Sequence, residues 1–98
     1  MHIVTSTILH TFSGKPMVDQ EGPITLGKIL SLILVAPREQ GPKFDPLKAY
    51  TLGSMLSTQE SVDLDDADAK KLTEMVDTDK SLSMMITGQI LKLLSDQK

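Results

Sequence analysis

The chain has no cysteine and no tryptophan among its 98 residues. The lack of cysteine excludes a disulfide scaffold, a thiolate zinc site and a cysteine nucleophile, and it is compatible with a reducing compartment. The longest apolar run, residues 32–36, is far shorter than the ~20 residues that cross a bilayer. Because the first residues also lack the basic and apolar regions of a signal peptide, we expect a soluble, cytoplasmic protein with no membrane association.

An excess of basic residues is also missing. Residues 1–62 carry five acidic and five basic side chains, and residues 63–98 carry eight and five, so the last third supplies the whole net charge of −3. Because phosphate binding needs clustered lysine and arginine, this balance disfavours nucleic acid as a partner. Hydrophobic residues at 40% and charged residues at 23% are ordinary for a folded protein, and the length predicts a single domain, 1–98.

The first 24 residues are predicted to form a β-hairpin. Residues 2–12 are rich in β-branched side chains without helical spacing, which is typical of a strand, and Met17 and Val18 form a short return strand. Two strands alone are marginal in water, so the hairpin must pack on helices or pair with another strand edge. The predicted fold class is therefore α+β, with an N-terminal β-hairpin (1–24) packed on three to four short α-helices (25–98).

Helical spacing and capping signals place the helices. Thr25 is a plausible N-cap of the first helix and Pro37 ends it, while Asp45 and Pro46 are typical of the cap and first residue of the second. The predicted helices cover residues 25–36, 46–57, 63–76 and 80–95, with a loop over 37–45.

No arrangement typical of catalysis occurs in the sequence, which lacks a nucleophile elbow, a phosphate loop and a dinucleotide fingerprint. On one strand, His2 and His10 would lie about 27 Å apart, too far to share a metal. Acidic residues at 63–68 lack the glycine of a calcium loop and are predicted to form a helix N-terminus, the alternatives being an acidic interaction face or a phosphate mimic. We expect no enzymatic activity, no cofactor, no metal site and no small-molecule substrate.

The helices are apolar over more surface than a two-stranded hairpin can cover. Excess apolar surface on a small chain is typical of a subunit or partner interface, so we expect a homodimer or a complex with a protein partner. With only three aromatic residues, the six methionines fill the core in place of rings or, alternatively, form an adaptable docking groove. Acidic residues flanking the contact face would orient a basic partner. The predicted contact residues are Ile29, Ile33, Met84, Met85 and Leu91.

Three stretches of the sequence occur in a characteristic order: Gly14-Lys15-Pro16 with the acidic turn after it, residues 24–30, and residues 62–64 with the following helix into residues 86–90. With these stretches, the order of elements resembles a group of small proteins encoded by tailed bacteriophages and prophages. The resemblance implies a phage origin and carries over no catalytic residue. We expect a non-enzymatic phage or prophage accessory protein that acts by protein–protein binding, as a host-factor inhibitor or a virion-assembly accessory. The alternative is a nucleic-acid-associated regulatory protein.

Overall fold

The computed structural model describes residues 1–36, 41, 43–79 and 82–96. Within these residues lie four helices and four short strands, which confirms the predicted α+β class. Part of the predicted loop, residues 37–40 and 42, and the predicted start of the fourth helix at residue 80 lie outside the described residues. In chain order the elements are β1 (His2–Val4), β2 (Val18–Asp19), β3 (Gly22–Pro23), α1 (Leu26–Val35), α2 (Pro46–Thr58), β4 (Ser61–Asp63), α3 (Asp66–Thr78) and α4 (Met84–Asp96).

Strand β1 pairs antiparallel with β4, which lies between α2 and α3 in the chain. Ile3 is opposite Val62 in this ladder, and both side chains are buried. The prediction of one strand over residues 2–12 is wrong beyond Val4, because the chain turns there. The amide and the hydroxyl of Thr7 both donate to the Val4 carbonyl oxygen, at 3.2 and 2.8 Å. The N-terminal strand is therefore only three residues long.

The rest of the predicted hairpin consists of short antiparallel segments whose backbones bind one another. The Leu9 amide donates to the Ile24 carbonyl oxygen at 2.9 Å, and the Leu9 carbonyl oxygen accepts from the Met17 amide at 2.8 Å. The Ile24 amide in turn donates to the Met17 carbonyl oxygen at 2.8 Å. Strands β2 and β3 continue this pairing across a tight turn, where Gly22 has the positive φ of 122° that favours glycine. The predicted return of the chain near residues 17 and 18 is confirmed.

Side-chain caps mark the starts of α1, α2 and α3. Thr25, Asp45 and Asp65 each accept a hydrogen bond from the backbone N–H three residues ahead. The predicted caps at Thr25 and Asp45 are confirmed. The third helix begins at Asp66 rather than at Asp63, because Asp63 belongs to β4 and Asp65 is the cap. The acidic residues nevertheless lie at a helix N-terminus, where the helix dipole favours negative charge.

One cluster of buried apolar side chains joins β1 and β4 to all four helices. Helix α1 contributes most to it, as its nearly continuous apolar sequence predicts, and its most extensive helix contact is with α2. Among the methionines, Met75 is fully buried, which fits the role of a core filler in a chain with few rings. Fully buried residues from the different elements include Ile3, Leu30, Leu56, Leu72 and Ile90.

The first turn of α1 packs against the segment after β1 and the end of α2. The amides of Leu26 and Gly27 donate to the carbonyl oxygens of Thr7 and Thr5, at 2.8 and 3.0 Å, so backbone groups satisfy the open N–H groups of the helix start. Thr5 is buried, and its hydroxyl donates to the Gln59 carbonyl oxygen just after α2. Three parts of the chain therefore meet at Gly27.

We expect Gly27→Ala to lower the free energy of unfolding, because the site has no room for a methyl group. A Cβ atom at Gly27 would lie 2.6 Å from Thr5 Cβ and closer still to the Leu56 carbonyl oxygen. Overpacking of this kind typically costs about 1–3 kcal/mol, which urea denaturation would measure. Gly88→Ala is the control, since a Cβ there meets nothing within 4 Å. Equal stability of Gly27→Ala and the wild type would contradict the close approach.

An ion-pair cluster ties the β2–β3 turn to α1. The Lys28 ammonium donates to the carboxylates of Asp19 and Glu21, the second at 3.2 Å. The hydrogen bond from Lys28 is the main reason that the pKa of Asp19 lies below its ordinary 3.8. The same bond is the main reason that the pKa of Lys28 lies above its ordinary 10.5. The turn is thus held to the helix by charge as well as by backbone pairing.

We expect this cluster to make stability depend on pH at both extremes. The lowered pKa of Asp19 stabilises the fold above pH 3.8, and that contribution is lost as the pH falls through the lowered value. The raised pKa of Lys28 stabilises the fold below pH 10.5, and that contribution is lost as the pH rises through the raised value. In Asp19→Asn, the free energy of unfolding should therefore fall less steeply than in the wild type as the pH drops below about 4.

The effect of Asp19→Asn should be small, because exposed ion pairs contribute little to stability. The control is the same measurement in concentrated salt, where screening should bring the wild type and the variant together. If the free energy of unfolding of the two proteins depended on acid pH in the same way in low salt, the pair would have no stabilising role.

Candidate protein-binding surfaces

The five predicted contact residues do not share one surface. Ile29 and Ile33 are only 9% and 3% exposed, so the prediction that they form a contact face is corrected: the fold of the chain itself buries them in its core. Leu91 is half-buried against that core. Met85 is also half-buried, whereas its neighbour Met84 is 91% exposed at the start of α4. Only the two methionines point to an accessible apolar surface.

Met84 and Met85 line a groove of about 400 Å³ between α4 and the segment around residue 11. The opposite wall includes Phe12, which is 91% exposed like Met84. Two large apolar side chains therefore stand in water on the same groove. We name it the Phe12–Met84 groove, and its lining residues are His10, Thr11, Phe12, Met84, Met85, Gly88, Gln89 and Lys92.

A side-chain amide holds the two walls of this groove together. The His10 amide donates to Gln89 Oε1 at 2.8 Å, and Gln89 Nε2 donates to the His10 carbonyl oxygen at 2.8 Å. Gln89 thereby occupies both backbone hydrogen-bonding groups of His10, as a neighbouring strand would. Because Phe12 is only two residues further along the chain, this contact sets its position relative to α4.

We expect Gln89→Ala to release the wall that carries Phe12 while leaving the rest of the fold intact. Losing two hydrogen bonds on a half-buried side chain should lower the free energy of unfolding by about 1–2 kcal/mol. Amide hydrogen exchange read by NMR should speed up at His10, whose N–H loses its partner. Lys92→Ala, which removes a neighbouring side chain that holds no backbone group in this way, is the control. Unchanged exchange at His10 in Gln89→Ala would contradict the contact.

Gly88 leaves the backbone of α4 exposed inside the same groove. A Cβ at this position would meet nothing within 4 Å, so the packing of the chain does not require glycine there. A glycine in a helix interior costs about 1 kcal/mol relative to alanine. Its absent side chain lets another molecule approach the helix backbone closely.

The ionisable side chains that line the Phe12–Met84 groove are basic. They are Lys92 and His10, and the lining residues that the structure describes include no carboxylate. Lys15 lies near the same wall, since its carbonyl oxygen accepts from the Thr11 amide at 2.9 Å. The described lining of this groove therefore differs from the acidic surroundings expected for the contact face, because α4 and the turn before β2 supply lysines.

Several of these groove residues escape prediction from the sequence. Phe12 falls in a predicted strand of a chain with few rings, where an aromatic residue is normally assigned to the core. Gln89 acts through a contact 79 residues away in the chain, for which no local pattern exists. Gly88 does carry a signal, since it interrupts a segment with otherwise good helix formers.

A second groove runs between α1 and α2, with a volume of about 330 Å³. Leu32 and Val35 of α1 and Tyr50 of α2 stand on its rims, each more than half exposed. Leu32 and Val35 are the residues that make α1 apolar nearly all round, and they lie on the side of the helix away from Ile29 and Ile33. We name it the α1–α2 groove, and its lining residues are Ser31, Leu32, Val35, Tyr50, Gly53, Ser54, Ser57 and Thr58.

A larger cleft, of about 540 Å³, lies between Met1 and α3. Its charged lining residues are Asp66, Lys70 and Glu74, which are all exposed and spaced four residues apart. Residues at this spacing share one face of a helix, and alternating charges are typical of a solvated face. Its size alone therefore does not make it a candidate site.

His2 and Asp63 form the closest pair of a histidine and a carboxylate in the described ranges, with 2.7 Å between His2 Nδ1 and Asp63 Oδ1. The two residues are directly opposite in the β1–β4 ladder and both are exposed, so they form a cross-strand pair. Within the described residues, no group of three or more metal-binding side chains could hold an ion. The same residues include no helix with the length and apolar character needed to cross a membrane.

Comparison with known proteins gives no relative: no protein-family model, curated protein or solved structure matches the chain. The two apolar grooves and the groups around them are therefore the basis for inferring function.

Proposed function

We propose that this chain is a non-enzymatic phage or prophage accessory protein that binds another protein through the Phe12–Met84 groove. The observation that carries the proposal is the exposure of Phe12 and Met84, each 91%, on one groove. A single exposed apolar residue needs no explanation, but neighbouring ones on a concave surface are typical of an interface. The resemblance to phage proteins supports the origin. Inhibition of a host factor or assistance in virion assembly, in the host cytoplasm, belongs to the same proposal.

The groove favours a partner segment with an apolar anchor and carboxylates beside it. Phe12 offers a rigid ring, and the methionines adapt their shape to an aliphatic or aromatic anchor. Gly88 allows the anchor to reach the helix backbone. The Lys92 ammonium attracts a carboxylate beside the anchor and so sets its orientation. An acidic amphipathic helix laid into the groove meets all of these conditions.

A pair of amphipathic peptides tests this chemistry directly. Both peptides carry the same apolar residues, and their flanking residues are glutamate in one and lysine in the other. We expect the wild type to bind the glutamate peptide more tightly in low salt, measured by fluorescence anisotropy. Lys92→Glu should reverse the preference, because it replaces the attracting charge. Phe12→Ala should weaken binding at least about 10-fold, which equals about 1.4 kcal/mol.

Val18→Ala is the matched control, since Val18 is an exposed apolar residue that lines neither groove. It should bind the glutamate peptide as the wild type does. Equal affinity of the wild type for the two peptides, or an undiminished affinity of Phe12→Ala, would count against the proposal.

A further inference from the structure

We infer that Met84 is a site of reversible oxidation and that its sulfoxide weakens the binding of a partner at the Phe12–Met84 groove. Peroxides oxidise the sulfur atoms of cysteine and methionine. Because the chain has no cysteine, its six methionines supply all of its sulfur atoms. How the fold exposes these six side chains therefore decides where oxidation occurs.

The six methionines differ in exposure. Met84 is 91% exposed at the start of α4, whereas Met75 is fully buried in the core. The other four are half-buried, and three of them pack against the core. Since a peroxide must reach the sulfur atom, the exposed thioether of Met84 reacts first. The half-buried methionines are Met1, Met17, Met55 and Met85.

The reaction transfers one oxygen atom to the Met84 thioether. A lone pair of the sulfur attacks one peroxide oxygen, the S–O bond forms as the O–O bond breaks, and the proton on the attacked oxygen ends on the leaving oxygen. With hydrogen peroxide the products are the sulfoxide and water, so the sulfur loses two electrons and the peroxide gains them. A thiol-dependent sulfoxide reductase reverses the change: two thiols become a disulfide, and the oxygen leaves as water.

The fold tolerates a sulfoxide at Met84. Because the side chain is almost fully exposed, it has little apolar contact to lose. The start of α4 is held by Ser83 instead, whose hydroxyl accepts from the Ile86 amide at 3.3 Å and whose carbonyl oxygen accepts from the Thr87 amide at 3.0 Å. A polar group on Met84 therefore leaves this helix start intact.

The groove, in contrast, loses part of its apolar character when Met84 carries an oxygen. Met84 and Phe12 are the two large exposed apolar side chains that line it. Oxidation turns the flexible apolar thioether into a polar group, and an apolar anchor that covers it must displace the water bound to the new oxygen. This consequence rests on the proposed function of the groove, whereas the site of oxidation does not.

Mass spectrometry of the chain after treatment with dilute hydrogen peroxide tests the site. We expect the first oxygen atom on the folded chain at Met84, and we expect Met75 to be oxidised last. Fragmentation of the digested chain separates Met84 from its neighbour Met85. Unfolding in urea before treatment should abolish the order, because every methionine is then exposed. First oxidation of the folded chain at any other methionine would overturn the inference.

The glutamate peptide described above tests the consequence for binding. The singly oxidised wild type should bind it at least about 5-fold more weakly than the untreated protein, because a polar group loses its water. Treatment with a sulfoxide reductase and a dithiol should restore the affinity, and circular dichroism should show an unchanged fold throughout. In Met84→Leu the affinity, whatever its value, should be the same before and after peroxide. Met55→Leu, which removes a methionine outside the groove, should lose affinity on oxidation as the wild type does.

Equal affinity of the oxidised and the untreated wild type would overturn the effect on binding. So would a loss in Met84→Leu as large as that in the wild type. If the untreated wild type binds no peptide, the proposed function fails and the effect on binding fails with it. The mass spectra decide independently whether Met84 is the site of oxidation.

Discussion

The close approach at Gly27 is the constraint on which the rest of the structure depends. There the start of α1 touches Thr5 on one side and the carbonyl oxygen of Leu56 on the other. Backbone hydrogen bonds from the first turn of α1 and the bond from the Thr5 hydroxyl to Gln59 hold the three segments in place. The direction of α1 follows from this junction, and with it the division of its apolar residues between the core and the α1–α2 groove.

Local sequence signals are sufficient where a helix end is marked by its own side chains. Thr25 and Asp45 cap the first two helices as predicted, because capping involves only the next three residues. Local signals are insufficient where pairing with a distant segment determines the secondary structure. Asp63 looks like the start of a helix, but β1 pairs with residues 61–63 and draws it into a strand. The long predicted N-terminal strand fails for the same reason, since its partner covers three residues.

The candidate surfaces show a related limit. An excess of apolar residues on α1 predicts an exposed face, but a helix that is apolar nearly all round does not indicate which side faces the core. The prediction therefore selects Ile29 and Ile33, whereas Leu32 and Val35 are the exposed pair. On α4, Met84 is exposed, but the opposite wall of its groove comes from Phe12, far away in the chain.

Helix α1 leaves few positions for neutral sequence drift. Six of its ten residues are buried, and one of these, Gly27, has no room for a side chain. Lys28 carries the ion pairs to the β2–β3 turn. Substitutions at these seven positions should therefore be accompanied by compensating ones in α2 or the turn, whereas the exposed Leu32 and Val35 are free of that coupling.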